Sequence, residues 1–241
     1  MNAILKYPFL LVPAIVFASC GADDPEQASE FSGLPPFSEI QVNSVFHIIL
    51  EQDTSFSIRL SGNKEMIEGV RYTVENGILT LTNESRMAWL KPEDHLVELH
   101  ISADRPKKIM VNETCFIETA NPIITDEFGV VTGNKYAEAK LELNNKIFYC
   151  WNNFPCGGKL TLEGNTQSLR IWNYVIMSVD ARNLTTRHAL VENYSKGDCT
   201  VNVKEIMEYS IFGEGNIYLY GNPNEIVPKE ITGSGELLRM E

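Results

Sequence analysis

Asparagine returns at positions 112, 134, 152, 173 and 193, in steps of 22, 18, 21 and 20 residues. Each one closes a short row: Ile109-Met110-Val111-Asn112, Val131-Thr132-Gly133-Asn134, Tyr149-Cys150-Trp151-Asn152, Arg170-Ile171-Trp172-Asn173 and Val191-Glu192-Asn193. A second strand-like run follows in the later rows, at Leu160–Leu162, Val175–Val179, Cys199–Val203 and Ile217–Leu219. A period near 20 residues is the mark of one supersecondary unit stacked on itself. The units are extended rather than helical, so the repeats predict a β-solenoid over residues 107–221. In such a stack, like residues lie over like at about 4.8 Å. A polar side chain turned inward at a corner is then satisfied by its copies, amide to amide. Asparagine also tolerates the left-handed backbone of a sharp corner. The spacing therefore predicts a structural ladder that includes Asn134, Asn152, Asn173 and Asn193.

The rest of the chain attaches to this core. Residues 37–106 read as N-terminal β-strands or a cap, more antiparallel and less regular than the repeats. Phe46–Leu60 alternates in period two about a polar turn, the pattern of a hairpin. Val70–Val74 and Ile78–Leu81 flank Asn76-Gly77, the strongest short hairpin signal in the chain. The best helical candidate, Lys64 to Gly69, is too short to stand alone. The class is all-β. Residues 222–241, with Pro223, Pro228, Gly233 and Gly235, are expected to cap the far end, since stacked strands need their edges hidden.

The N-terminus carries an address. Lys6 precedes the apolar run Phe9–Phe17, which is too short for a membrane span, and Ala18-Ser19-Cys20 follows at once. A basic flank, a short apolar core and small residues at the end make a signal peptide over residues 1–19. Small residues directly before a cysteine resemble the bacterial lipobox, with Phe17 where leucine is usual. That resemblance implies that Cys20 becomes the acylated first residue, and several acyl chains suffice for stable anchoring. Residues 20–36, rich in Asp, Glu, Ser, Gly and Pro, read as a lipidated flexible tether. Gly21 after the cysteine fits sorting to a bacterial outer membrane or the cell surface.

Charge removes several functions. A net charge of −12 leaves nothing to neutralise phosphates, so nucleic acid is not an expected partner. It also opposes docking on an anionic membrane, leaving the lipid anchor as the membrane contact. No HExxH, GxSxG, P-loop or CxxC motif is present, and neither a metal nor a cofactor is expected. His47, His95, His100 and His188 are scattered. Asp180, Glu192, Asp198 and Glu214 fall near stacked rows, and a carbohydrate-active β-helix enzyme using paired carboxylates is one alternative. The primary expectation is a protein with no catalytic residues. Cys115 and Cys199 sit in apolar rows as small core residues. Cys150 and Cys156 flank a loop short enough for a disulfide in an oxidising compartment, and sequence does not supply the Cα separation that decides it.

One column suggests a surface. Trp151 and Trp172 precede equivalent asparagines, and Tyr174 and Tyr194 follow them. If the asparagines point inward, these rings point outward, as a strip for sugar rings or a partner protein. The alternative is an aromatic column that only stabilises the stack.

Two blocks carry a family resemblance. One is Phe37-Ser-Glu-Ile-Gln-Val-Asn-Ser-Val-Phe-His-Ile-Ile-Leu-Glu-Gln-Asp53, leading to Val74-Glu-Asn-Gly-Ile-Leu-Thr-Leu81. The other is Gly213-Glu-Gly-Asn-Ile-Tyr-Leu-Tyr-Gly-Asn-Pro223, followed by Ile231-Thr-Gly-Ser-Gly-Glu-Leu237. Together with the rows between them they resemble the head-GIN domain family, whose label is "putative auto-transporter adhesin", over about residues 37–238. The resemblance implies a stacked β-solenoid, often behind a lipoprotein signal in the Bacteroides group, and no catalytic residues. The expectation is a non-catalytic envelope lipoprotein that binds a glycan or an envelope or host protein. A structural envelope component without a small ligand is the alternative.

Overall fold

The computed structural model describes residues 27–85, 96–133, 135–152 and 156–241. Cys20, Asn134 and the whole predicted signal peptide lie outside the described residues. Among the described residues sixteen strands join in a single hydrogen-bonded sheet that coils on itself, and one short helix accompanies them.

The N-terminal elements are β1 (Gln27–Gly33), β2 (Glu39–Val42), β3 (Phe46–Gln52), β4 (Ser57–Asn63), α1 (Lys64–Glu68), β5 (Val70–Glu75), β6 (Ile78–Asn83) and β7 (Glu98–Ala103). The remaining strands are β8 (Lys108–Val111), β9 (Cys115–Thr119), β10 (Glu127–Thr132), β11 (Tyr136–Asn152), β12 (Gly157–Ser195), β13 (Cys199–Ile211), β14 (Ile217–Tyr220), β15 (Glu225–Ile231) and β16 (Leu237–Arg239). β11 and β12 run through corners of the coil, which is why they are long. The stack has two principal sides. On one, β7, β3, β9, β11, β12, β13, β14 and β16 pair in parallel. On the other, β6, β2, β8, β10, β11 and β12 do so, followed by β13 and β15. Successive partners such as Lys108, Gly129, Tyr149 and Arg170 confirm coils of about 20 residues.

The predicted β-solenoid with an irregular antiparallel N-terminal part is thus observed, with four changes of detail. First, residues 27–33, read from sequence as tether, form β1, which pairs antiparallel with β4. Their alternation is weak, and a partner strand 30 residues away was needed to recruit them. Second, Phe46–Leu60 is not a hairpin, because β7 is inserted between β3 and β4. Third, β2 and β3 are true rungs of the solenoid, flanked on one side by β6 and β7 and on the other by β8 and β9. The antiparallel pairs among the described residues are β1–β4, β4–β7 and β5–β6. Fourth, residues 222–241 are not a separate cap. β15 and β16 continue the parallel pairing as one more rung. The Asn76-Gly77 hairpin is as expected, with both residues at positive φ (52° and 78°) between β5 and β6. The helix also falls where the sequence placed it, N-capped by Asn63, whose side chain accepts the Glu65 N–H.

The interior is one continuous apolar cluster. Its columns follow the register: Leu79, Ile40, Ile109, Val130, Cys150 and Ile171 stack on one side. The next inward column begins with Leu81, Val42 and Val111, turns polar at Thr132 and Asn152, and ends at Asn193 and Ile211. This is the asparagine ladder, and Thr132 holds the place on the rung before Asn152. Asn152, Asn173 and Asn193 occupy it, 2, 1 and 0% exposed. Asn152 pairs with the Tyr174 backbone one coil on, donating to its carbonyl (2.6 Å) and accepting its N–H (2.7 Å). Asn173 donates to the Met177 carbonyl (2.8 Å) and to Asn193 Oδ1 (3.0 Å). Asn193 donates to the carbonyls of Gly197 (3.2 Å) and Gly215 (2.9 Å) and accepts the Ser195 N–H (3.2 Å). The amides therefore tie down corner backbone as well as each other, the requirement that buried peptide groups be paired. Asn112 is not part of the ladder. Val111 pairs with Thr132, so Asn112 sits one position further on and donates instead to Asn43 Oδ1 (2.8 Å).

Corners also need close backbone approach. A Cβ on Gly215 would run into the Gly197 carbonyl of the coil before it, and one on Gly235 into the Gly215 carbonyl. Only glycine lets this corner stack at rung spacing.

Candidate binding surface

Because Cys150 and Asn152 face inward, period-two alternation turns Tyr149 and Trp151 outward. The same argument turns Arg170 and Trp172 outward on the next rung, with Tyr149 beside Arg170 and Trp151 beside Trp172. The Tyr149 ring lies over Gly129, where a Cβ would enter the ring, so the missing side chain makes its seat. Burial there pushes the Tyr149 hydroxyl above its ordinary value. Trp151 is 46% exposed and Trp172 half-buried. With Tyr174 these side chains line a shallow apolar groove of about 420 Å³.

The predicted aromatic strip divides in two. Tyr174 and Tyr194 stack with centroids 4.5 Å apart and planes 6° apart, and Tyr194 stacks on Phe212 at 4.2 Å and 9°. Rings piled along the coil axis turn their faces to one another and their edges outward. That column binds the rungs together, as the alternative reading held. Burial, and then the neighbouring Glu192 carboxylate, push the Tyr194 hydroxyl up to about 12, and it donates to Glu192 Oε2 (3.3 Å). Trp151 and Trp172 form the other column, one residue before the ladder. At the corner beside Tyr174, Val175 has φ 62°. A β-branched residue in that region is strained, and such strain tends to gather at functional sites.

A second groove of about 550 Å³ adjoins the first and shares Trp172 as a wall. Arg170, His188, Glu208, Glu225 and Lys229 bring polar groups to it. Lys229 Nζ is 2.7 Å from Glu208 Oε1, and His188 Nε2 is 3.2 Å from Glu205 Oε2. His188 thus has the carboxylate partner that the sequence did not reveal. The Arg170 side chain forms no ion pair or hydrogen bond among the described residues. Sequence reasoning missed Tyr149, Glu208 and Lys229 as parts of this surface. The signal was available for Tyr149, which stands three places before Asn152 as Arg170 does before Asn173.

Of the other predicted carboxylates, Asp180 and Asp198 line a common groove of about 390 Å³ on another part of the coil. Asp180 pairs with Arg182 (2.9 Å), Glu214 with Lys196 (3.0 Å), and Asp198 accepts the Asn216 N–H (2.8 Å). Asp180 is paired within its own strand, and Glu214 and Asp198 are paired with residues of the neighbouring coil. Cys150 and Cys156 are unbridged thiols. Cys150 points into the core column, whereas Cys156 Sγ meets Asn152 Nδ2 (3.3 Å) and Thr132 Oγ1 (3.5 Å) at the head of the ladder. Among the described residues no group of three or more His, Cys, Asp or Glu is placed to hold a metal, and no helix is long and apolar enough to cross a membrane.

Comparison with known proteins agrees with this architecture. A family model described as "Putative auto-transporter adhesin, head GIN domain" matches residues 36–223. A crystal structure of a "putative adhesin" from Bacteroides fragilis superposes with a TM-score of 0.77 at 16% identity, covering 89% of this chain and 97% of that one. A "putative lipid binding protein" from Parabacteroides distasonis gives 0.64 at 15% identity, with the same coverage. A "putative adhesin" from Parabacteroides distasonis gives 0.57 at 14% identity, covering 90% and 98%. At these identities the likeness is one of fold. No curated protein matches.

Proposed function

Since the chain belongs to the family described as "Putative auto-transporter adhesin, head GIN domain", we propose that it is a cell-surface binding protein whose ligand is a glycan held against Trp151 and Trp172. The observation that carries this reading is the outward, in-register tryptophan pair beside a groove of fixed polar side chains. Aromatic faces suit the apolar face of a sugar ring, and the Glu208–Lys229 pair offers both an acceptor and a donor to hydroxyls. The inside of the coil is filled by one continuous apolar cluster, which favours recognition on the outside. On a glycan array, Trp151→Ala together with Trp172→Ala should lower the signal about tenfold or more. The melting temperature should change little, because neither ring is in the core cluster. An array that stays blank for the native protein would remove the glycan reading.

We further propose that Cys20 is acylated and tethers the coil to a bacterial outer membrane. Metabolic labelling with a palmitate analogue should mark the native protein and not Cys20→Ala, and the variant should appear in the medium. Labelling of the variant would remove the anchor.

A second reading, an envelope protein that works through protein contacts alone, is favoured by one observation. The last rung, β15 and β16, has no strand beyond it among the described residues, and Ile231 is 52% exposed there. Cross-linking in intact cells would favour it by giving one abundant protein neighbour while the array stays blank.

A further inference from the structure

The two grooves on the tryptophan side run across the strands, along the coil axis. Three outward columns make their floor. One holds Ser168, His188, Ile206 and Glu225; the middle one holds Tyr149 and Arg170 and then Leu190, Glu208 and Val227; the third begins with Trp151 and Trp172. From the Tyr149 rung to the Glu225 rung there are four rung spacings, or about 19 Å at the usual strand separation. Trp172 belongs to both grooves, so the path is continuous there. Its two ends differ in chemistry. The Tyr149 end is aromatic, and the Glu225 end is polar. Along the second groove the cations Arg170, at the junction, and Lys229, at the polar end, are matched by the carboxylates Glu208 and Glu225, so the lining asks for no net charge on its ligand. The protein as a whole carries −12 and repels polyanions.

We infer that the ligand is a neutral, linear oligosaccharide lying along the coil axis over about four rings, and that the polar groove is its second subsite. This rests on the glycan reading above and adds its length, direction and charge. One sugar ring is of the same order of length as one rung. An axial chain can therefore keep similar contacts from coil to coil, whereas a chain lying along a strand would leave the grooves after one or two rings. The first rings stack on Trp151 and Trp172. Later rings donate to Glu208 and Glu225 and accept from Lys229. The Arg170 side chain, at the junction, carries no partner among the described residues and is free to turn toward a hydroxyl.

The test is titration calorimetry on the full chain with neutral oligosaccharides of one to six rings, from the β-1,4-glucan, α-1,4-glucan and α-mannan series. For the series that binds, affinity should rise at least tenfold from two rings to four and then level off. Lys229→Ala, and separately Glu208→Gln, should bring four-ring affinity down toward the two-ring value and leave the two-ring affinity unchanged. Trp151→Ala should weaken both. Both polar side chains lie outside the core cluster, and an unchanged melting temperature would show that the variants fold. Equal affinity for two and six rings, or an equal loss for both lengths in Glu208→Gln, would overturn the second subsite and leave the tryptophan site standing. Tighter binding of acidic glycans would overturn the neutral ligand. If no saccharide of any length binds, the inference and the glycan reading fall together.

Discussion

Replacing Asn193 with alanine is expected to cost about 3–5 kcal/mol of folding stability, measured by denaturant unfolding. The residue is 0% exposed and is the last amide of the ladder. Its loss would strip the Ser195 N–H and the Gly215 carbonyl of side-chain partners and leave the Asn173 amide with one fewer acceptor. Each buried polar group left unpaired costs about 1–3 kcal/mol, and a small cavity adds to that. Asn193→Ile is the informative control, because Ile211 fills the equivalent place one coil later. If isoleucine restores little, the cost is polar; if it restores most, the cost is volume. A loss below about 1 kcal/mol for alanine would mean that water replaces the amide, and the ladder would not be a source of stability.

A second large effect is expected in alkali. Cys115, Cys150 and Cys199 are buried, and burial pushes the thiols of Cys115 and Cys199 up to about 12 and that of Cys150 further. At Cys199 the Asn173 amide, 3.4 Å from Sγ, pulls the other way and does not win. In the unfolded chain a thiol ionises near 8.5. Below that pH both states hold their protons and the contribution is fully present. Above it the unfolded chain loses protons that the folded one keeps, so stability falls by about 1.4 kcal/mol per pH unit for each thiol until the folded value is reached. Unfolding free energy should therefore be flat from about pH 7 to 8.5 and then drop steeply. Replacing the three cysteines with alanine should flatten the alkaline limb even if it lowers stability at neutral pH. In the same range a thiol-specific reagent should label none of the three in the folded protein, since inaccessible neutral thiols do not attack. Rapid labelling at pH 8 would show that the core opens far more readily than its packing implies.

Chain periodicity determined much of this protein. The recurrence of asparagine gave the coil length, and the alternation on either side of it gave the inward face, the outward tryptophans and the all-β class. The Asn76-Gly77 hairpin and the short helix after Asn63 were equally local and equally legible, because turn and cap chemistry act within a few residues. Tertiary structure decided what depends on partners a coil or more away. Asn112 shares the spacing of the ladder but not its register, because Val111, not Asn112, stands opposite Thr132. One residue gained or lost in a corner shifts the next strand by one place, and a shift of one place turns every side chain to the other face. No local pattern records that shift. Recruitment of β1, insertion of β7 between β3 and β4, and the division of the aromatics into an edge-on stack and an exposed tryptophan pair have the same origin. Each was fixed by pairing across the stack, whose energy comes from contacts between residues distant in sequence.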